Sequence, residues 1–299
     1  MEQENNTQLE KKSWFDKYHK LLLLIPVLIM ILSLIYLGVF YSKHKDFIIK
    51  DVGLSGGTTL TLNGEISLEN LESPLKSELP DASLRKLTDS STGKQLALII
   101  ESSESPEKVK EITEKVLGYK LTDENSSIEF TGSVLSKNFY RQLIIALFIS
   151  FVLMSIVIFV LFRTFIPSIA VIFAAFSDII MPLALIDYLG IKLSAAGIAA
   201  FLMLIGYSVD TDILLTTRAL KKREGTLNQR IYGAFKTGIF MTATALVAVL
   251  PAFLIVSGLP DSFRQIFLIL SLGLFADILN TWLTNAGIIK WYCDKKGIK

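Results

Sequence analysis

Two aspartates lie two residues apart in the stretch GYSVDTDILLTTR, residues 206–218, which ends a long run with no other charge. On a helix with 3.6 residues per turn, Asp210 and Asp212 are about 200° apart, so they cannot share one narrow face. The neighbours on the two faces are Gly206, Tyr207 and Thr217 beside Asp210, and Ser208 and Thr216 beside Asp212. The two aspartates alone therefore cannot form an acid dyad.

Two further aspartates, Asp178 and Asp277, lie within other apolar runs. An aspartate at the centre of a membrane span costs about 2.5–3.5 kcal/mol, so such a residue usually faces a bundle interior or a wet cavity. Burial also disfavours the charged form of a carboxyl group, which lets it take up and release protons near neutral pH. We therefore expect Asp210, Asp212, Asp277 and Asp178 to be proton-relay candidates. The alternative is that they only hold helices together through hydrogen bonds.

The elements that must position these aspartates are membrane helices. The chain has 299 residues, of which 51% are hydrophobic. Six apolar runs are long enough to cross a hydrocarbon core of about 30 Å, at residues 21–41, 142–162, 167–189, 193–217, 235–256 and 263–289. The first run has an apolar core of about 20 residues and no small-x-small cleavage site after it, which favours an uncleaved anchor over a signal peptide.

The orientation follows from Lys and Arg in the short flanks. Fifteen lie in the tails at 1–20 and 290–299 and in the loops after the second and fourth runs, whereas the opposite loops hold only Lys192 and Arg264. Because cytoplasmic loops carry the excess of positive charge, both termini are predicted to be cytoplasmic and residues 42–141 extracytoplasmic. Asp187 and Asp261 are then expected at outer helix ends, where headgroup water reaches them.

Residues 42–141 have a different pattern, with short alternating runs separated by turn residues. TTLTLNG, SLRKLTD, KQLALIIES and SSIEFTG predict strands, and SLENLESPLKSEL and SPEKVKEITEKVLG predict helices that begin at a capping serine. The order strand, helix, strand, strand, helix, strand is that of a ferredoxin-like sandwich. Gly56 and Gly57 precede the first strand, where we expect a tight turn or a close backbone approach. The bundle at 142–289 and this domain together predict a polytopic α-helical membrane protein of six transmembrane helices with a small α+β ferredoxin-like external domain.

Composition excludes several classes of site. The net charge of +2 argues against a nucleic-acid partner, and the basic loop after the fourth span is best explained by topology and contact with lipids. The two histidines, His19 and His44, lie outside the apolar runs, and no His-Glu-x-x-His motif occurs. The single cysteine, Cys293, lies in the predicted cytoplasmic tail, so the external domain has no disulfide. We expect no metal and no cofactor.

GYSVDTDILLTTR resembles the fourth-helix signature of the SecF family, and the resemblance continues through FRTFIPSIAVIFAAFSDI (162–179) and GLFADILNTWLTNAGI (273–288). It covers nearly the whole chain and is of the archaeal type. The resemblance implies an accessory subunit that pairs with SecD at the Sec translocation channel and assists exported polypeptides. It also implies half of a resistance-nodulation-division bundle in the lipid membrane, with proton flow driving the external domain.

The motif is not identical to that of bacterial SecF proteins, which read Gly-Tyr-Ser-x-Asn-Asp-Thr. Their aspartate falls on Thr211 here, while SecD proteins usually have an aspartate at the position of Asp210. The resemblance therefore implies Asp210 as the first candidate and Asp212 as the second. An Arg-Thr pair at the start of the fifth helix reads Lys236–Thr237 here, which makes Lys236 the expected charge partner. The family's Asp-Phe-x-Gly-Gly-Thr reads GLSGGT, so only the glycine turn carries over.

The sequence also allows two alternative functions. A stand-alone proton-driven small-molecule transporter would need a homodimer, because six helices without an internal repeat make half of such a protein. An intramembrane aspartyl protease would use Asp210 with Asp277 or Asp178, but the Tyr-Asp and Gly-x-Gly-Asp motifs typical of those enzymes are absent. We therefore expect a transport subunit and not an enzyme.

Overall fold

The computed structural model describes residues 14–89, 92–221, 225–255 and 261–298. Its helices and strands follow in the order α1 (Trp14–His44), α2 (Val52–Ser55), β1 (Gly57–Asn63), α3 (Leu68–Glu78), β2 (Ser83–Thr88), β3 (Gln95–Ser102), α4 (Pro106–Leu117), β4 (Ser126–Thr131), α5 (Ser133–Phe162), α6 (Phe165–Tyr188), α7 (Ala195–Lys221), α8 (Leu227–Ile255) and α9 (Asp261–Leu279). A π-helical turn (Asn280–Asn285) then leads into α10 (Ala286–Lys296).

Six helical stretches in the described residues are long and apolar enough to cross a membrane: α1, α5, α6, α7, α8 and the continuous run of α9, the π-helical turn and α10. This confirms the predicted number of spans. The helices extend beyond the predicted apolar runs, since α5 begins at Ser133 and not at 142, and α8 begins at Leu227 and not at 235. A hydropathy pattern marks the part of a helix that is apolar, whereas the hydrogen-bonded helix continues through polar turns at either end.

The external domain is the predicted ferredoxin-like sandwich. Its four antiparallel strands lie in the order β2-β3-β1-β4, with α3 and α4 packed on one face around Leu60, Leu62, Leu75, Leu98 and Ile100. At the start of α4 the Ser105 side chain accepts a hydrogen bond from the Lys108 amide, as predicted. Ser67 stands before α3 but makes no such bond.

The Gly56–Gly57 pair is a close backbone approach, as predicted. Both residues have positive φ, at 88° and 141°. A Cβ on Gly56 would lie 2.4 Å from the Ser133 Cα, and a Cβ on Gly57 would lie 2.3 Å from the Ser102 carbonyl oxygen. No side chain fits at either position, so the glycines let the first strand start directly against α5 and β3.

The segment between α1 and β1 attaches the external domain to the bundle. The Leu193 amide donates to the Ile49 carbonyl at 2.6 Å, and the Asp51 amide donates to the Leu193 carbonyl at 3.0 Å. These bonds form a short parallel bridge between the segment and the loop that joins α6 to α7. The domain is therefore bonded to the loop that joins the two helices that carry Asp178 and Asp212.

Within the bundle α7 is central, packing against α5, α6, α8 and α9. The membrane core is built from Ile186, Ile198, Phe201, Leu204 and Ile269. By contrast, only 6% of the most apolar window of α5 and 11% of that of α8 is buried within the chain. Helices in lipid associate through close packing and hydrogen bonds, so α6, α7 and α9 are the elements that fix a polar site.

Several sequence expectations fall outside the described residues. They include most of the tail at 1–20, Lys222 and Arg223 of the basic loop, Lys299 and the side chain of Asp261. The predicted domain boundaries stay predictions.

Candidate functional site

Three of the four candidate aspartates meet inside the bundle. Asp178 comes from α6, Asp212 from α7 and Asp277 from α9, and each side chain is fully buried. Asp212 lies inside because its face of α7 also carries Ser208 and Thr216, which are both buried. Three helices thus bring three carboxylates from distant parts of the sequence to one site.

Asp178 has a hydrogen-bond donor at each carboxylate oxygen. Ser208 donates its hydroxyl to Oδ2, and Asn280 donates its amide to Oδ1 at 2.6 Å. These bonds join α6 to α7 and to the π-helical turn. Ser208, expected from the sequence only as part of a structural motif, is therefore a direct partner of a candidate carboxylate.

Asp212 and Asp277 share one hydroxyl group. The Thr281 Oγ1 lies 2.9 Å from Asp212 Oδ1 and 2.9 Å from Asp277 Oδ1. A second hydroxyl, that of Thr211, lies 2.9 Å from Asp277 Oδ1 and 3.4 Å from the Thr281 hydroxyl. Because a threonine hydroxyl has one proton, Thr281 can donate a hydrogen bond to only one of the two carboxylates at a time.

Two further side chains complete the network. Asn285 donates its amide to Asp212 Oδ1 at 2.6 Å, and Thr242 of α8 donates to Asp277 Oδ2 at 3.3 Å. Among the described atoms, Asp212 Oδ2 and Asn285 Oδ1 are buried acceptors with no hydrogen-bond partner. Oδ2 of Asp212 is thus the carboxylate oxygen of the cluster that is open to a proton.

The predicted charge partner lies elsewhere. Lys236 is on an exposed face of α8, and in the part of the chain that the structure describes no Lys, Arg or His forms an ion pair with Asp178, Asp212 or Asp277. Lys236 lies within α8, and the contribution of this helix to the cluster is instead a hydroxyl, that of Thr242. Unpaired buried charges are costly, so hydroxyl and amide donors have to hold these carboxyl groups. Within the described ranges no set of His, Cys, Asp and Glu is arranged to hold a metal ion.

Asp210 is not part of the cluster, which corrects the expectation that it faces the bundle interior. It lies on the exposed side of α7 together with Gly206 and Tyr207, whose side chain is 54% exposed. A Cβ on Gly206 would meet no described atom within 4 Å, so no described helix packs closely at this position. The geometric reason is the angle of about 200° that separates Asp210 from Asp212 on the helix.

The exposure of Asp187 also differs from the prediction. It was expected in headgroup water, yet its side chain is 3% exposed. Its Oδ1 accepts a hydrogen bond from the Ile49 amide at 3.3 Å. The segment that enters the external domain covers this end of α6 and shields the carboxylate.

The sequence reasoning missed the residues that hold the carboxylates. Asn280, Thr281 and Asn285 lie in the π-helical turn, and Thr211 and Thr242 come from α7 and α8. Single π-helical turns within α-helices often occur at functional sites. The signal was present, because NTWLTN, which begins three residues after Asp277, places four polar residues in an apolar span.

Comparisons with known proteins agree on one family. Residues 110–295 match the family model described as protein export membrane protein SecD/SecF, C-terminal. Proteins named protein-export membrane protein SecF are 38% identical in Methanolacinia petrolearia, covering 93% of this chain and 95% of that protein, and 37% identical in Methanocaldococcus jannaschii, covering 92% and 96%.

Solved structures share the fold. The crystal structure of SecDF, a translocon-associated membrane protein from Thermus thermophilus, superimposes with a TM-score of 0.69 at 19% identity over 92% of this chain. SecDF in a super-membrane-facing form gives a TM-score of 0.58 at 19% identity over 95% of this chain. The chain spans 38% and 39% of those two longer chains.

Proposed function

This chain belongs to the SecD/SecF family of protein-export membrane proteins, and from that premise we propose that it assists export of unfolded polypeptides across the cytoplasmic membrane as a subunit that works with a SecD protein at the Sec channel. In this proposal the chain is not an enzyme. The homodimeric small-molecule transporter is not favoured, because the relatives at this level of identity are named for protein export.

We further propose that the buried cluster carries protons. The observation that supports this is the shared Thr281 hydroxyl, which lies 2.9 Å from carboxylates on two different helices. A proton that arrives at Asp212 can pass to Asp277 when the Thr281 hydroxyl gives up its proton on one side and receives one on the other. A change of protonation would then alter which of α7 and α9 is bonded to the π-helical turn.

The coupling to export would use the attachment of the external domain. The helices α6, α7 and α9 hold the carboxylates, and the loop between α6 and α7 is bonded to the segment that leads into β1. Movement of these helices would therefore pull directly on the base of the domain. The domain is proposed to contact the emerging polypeptide on the outer side of the membrane.

The SecD partner is proposed to cover the exposed side of α7. Asp210 lies there on a face that no described helix covers, and an aspartate facing lipid is costly, by about 2.5–3.5 kcal/mol at the centre of a span. A partner helix packed at Gly206 would remove Asp210 from lipid and supply it with a polar group. Asp210 would thus act in the interface between the two halves, where it remains a proton-carrier candidate.

The test is secretion of a reporter in cells deleted for the gene. Asp212→Asn keeps the size and the hydrogen-bond acceptor of the side chain but cannot titrate, and Thr281→Val removes the shared hydroxyl. We expect both variants to assemble with SecD and to lose most of the export assistance. Thr244→Val is the matched control, because its hydroxyl bonds only the Met241 carbonyl of its own helix and its side chain is exposed.

The outcomes separate the roles. Normal secretion by Asp212→Asn would contradict the relay and leave a packing role for the cluster, since an asparagine supports a hydrogen bond of about 0.6 kcal/mol between membrane helices nearly as well. Asp210→Asn that reduces co-purification with SecD would assign Asp210 to the interface. Loss of secretion by Asp210→Asn with normal co-purification would assign it to proton transfer.

The orientation is proposed from charge alone, with both termini in the cytoplasm. A single cysteine at Gly225, in a Cys293→Ser background, is expected to react with an impermeant thiol reagent only from the cytoplasmic side. A cysteine at Lys120, exposed in the external domain, is expected to react from outside intact cells. Labelling of Gly225→Cys in intact cells would reverse the orientation.

A further inference from the structure

A cavity of about 530 Å³ lies between the external domain and the outer end of the bundle. One wall is the uncovered face of the sheet, at Arg85 and Glu101. The opposite wall is the loop between α6 and α7, with the end of α8 and the first turn of α9 beside it, at Lys192, Phe253 and Arg264. Its volume is within the range of about 300–1,000 Å³ that is typical of ligand sites.

The two basic residues that break the charge asymmetry of the sequence both line this cavity. Lys192 and Arg264 are the only Lys and Arg of the short outer loops, against fifteen on the other side. They come from different loops and meet at one place, together with Arg85 of the external domain. Positive charge on the outer loops opposes the charge asymmetry that sets orientation, so its presence at one cavity points to a local role.

The two carboxylates that line the cavity, Glu101 and Asp51, already have partners within the chain. Glu101 Oε1 binds Arg85 Nη2 at 2.9 Å, and Glu101 Oε2 lies 3.9 Å from Lys192 Nζ. Asp51 Oδ1 accepts a hydrogen bond from the Leu54 amide. Burial, and then the nearby Glu101, raises the pKa of Asp51 to about 6. Asp51 therefore adds less negative charge to the cavity than an exposed aspartate would.

Arg264 is the cation of the cavity that is available to bind an anionic ligand. Its guanidinium lies over the Phe253 ring, 5.4 Å from the ring centre, and it forms no ion pair with a carboxylate among the described side chains. An arginine fork held over an aromatic ring is suited to bidentate binding of a phosphate group.

The wall behind these cations is rigid. Gln265, which is 8% exposed, accepts hydrogen bonds from the Ser194 amide and hydroxyl at 2.7 and 2.6 Å and donates to the Lys192 carbonyl at 2.6 Å. A Cβ on Gly197 would lie 2.3 Å from the Gln265 side chain. The backbone of Lys192 is thus fixed before any ligand arrives, which lowers the ordering cost of binding.

We propose that this cavity binds the phosphate of an anionic phospholipid headgroup from the outer leaflet, with Arg264 and Lys192 as its main ligands. The position of the cavity at the ends of membrane helices supports a lipid as the source of the phosphate. Its lining loop lies between the end of α6 at Tyr188 and the start of α7 at Ala195. Tyr188, 73% exposed, is placed as aromatic residues are at membrane surfaces. Leu189, Ile191 and Leu268 add apolar lining for the glycerol and upper acyl carbons. The proposal does not depend on the export function.

The test measures lipid binding by the full chain in mild detergent, using native mass spectrometry across a concentration series. The probes are a short-chain phosphatidylglycerol, a phosphatidylcholine with the same acyl chains, and inorganic phosphate. We expect one saturable phosphatidylglycerol site, and a loss of affinity of about fivefold in Arg264→Gln, as for one cation near a lipid surface. Lys192→Gln should also weaken phosphatidylglycerol binding. This second variant still tests the site if Arg264→Gln does not fold.

Arg141→Gln is the matched control, since Arg141 is exposed near the outer end of α5 and does not line the cavity. Unchanged affinity in Arg141→Gln supports the proposal. Equal weakening in all three variants, or equal binding of phosphatidylcholine, would overturn it in favour of non-specific lipid. Phosphate binding with the same dependence on Arg264 would overturn the lipid source.

Discussion

The hydroxyl of Thr281 can link the protonation of Asp212 to that of Asp277. It lies equally far from the two carboxyl groups and can donate to one of them. When one carboxyl group is protonated and the other is charged, the protonated group donates to the Thr281 oxygen and the Thr281 hydroxyl donates to the charged group. A shift of both protons along these two hydrogen bonds exchanges the charge between α7 and α9, while Asn285 and Thr242 donate to Asp212 and Asp277 in either arrangement. The proposed relay rests on this exchange.

Asp51 gives a prediction about pH. Its pKa is raised to about 6, mainly by burial and then by Glu101, whereas an unfolded aspartate titrates near 3.9. Between these values the folded chain binds the proton more tightly than the unfolded chain, so this residue makes stability fall as pH rises from about 4 through 6. Asp51→Asn should remove that fall. Thermal melts of the solubilised chain at pH 5 and 8 compare the two proteins, and an identical pH dependence would contradict the prediction.

At residue scale, the sequence predicted which side chains share a face of α7 but not which face lies inside. Helical geometry separates Asp210 from Asp212 without any structure. In lipid, however, the outward face of a helix is as apolar as the inward face, so hydropathy does not distinguish them. Hydroxyl residues do not distinguish the faces either, because Ser208 and Thr216 lie beside Asp212 and Thr217 lies beside Asp210. Whether Asp210 or Asp212 carries protons stays a prediction.

At the scale of elements, two glycines of the spanning helices have opposite surroundings. A Cβ on Gly238 in α8 would lie 2.3 Å from the Trp282 ring, whereas a Cβ on Gly206 in α7 would meet nothing within 4 Å among the described residues. Gly238→Ala should therefore destabilise the chain by about 1–3 kcal/mol through overpacking. Gly206→Ala should leave the stability of the isolated chain nearly unchanged.

The same pair distinguishes contacts within the chain from contacts with a partner. If a SecD helix packs at Gly206, Gly206→Leu should reduce co-purification with SecD while the thermal stability of the isolated chain is kept. Gly238→Ala should lower that stability without a specific effect on the partner. Normal assembly by Gly206→Leu would place the SecD surface elsewhere.

Helices, strands and their order were predictable because each depends on local sequence. The alternating runs predicted all four strands, and the capping serine of SPEKVKEITEKVLG, Ser105, predicted the start of α4. The π-helical turn was not predictable, since no local sequence pattern marks such a turn; in the structure it packs against α1 and α6. The cavity beside Arg264 was also out of reach, because it forms where two loops and a sheet face meet.

At the scale of the whole molecule, the external domain has a core of its own. Leu60, Leu71, Leu75, Leu98 and Val109 belong to one buried cluster whose members all lie between β1 and β4. The segment before β1 attaches the domain to the bundle through the backbone bridge at Leu193 and through Ile48 and Leu54, which belong to the core cluster of the bundle. Glu101 of the domain lies 3.9 Å from Lys192. A core that closes within its own strands and helices indicates independent folding.

A fragment of residues 56–132 should therefore fold without the membrane. At about 75 residues and without a disulfide it should be of marginal stability, because small domains bury a smaller share of their surface. We expect mixed helix and strand signals in circular dichroism and one cooperative thermal transition. Leu75→Ala removes a fully buried side chain and should cost about 2–5 kcal/mol. Leu96→Ala is the matched control, with a side chain 47% exposed, and should change the stability by at most about 0.5 kcal/mol. A spectrum without a cooperative transition would mean that the bridge to the loop between α6 and α7 is needed for folding and not only for attachment.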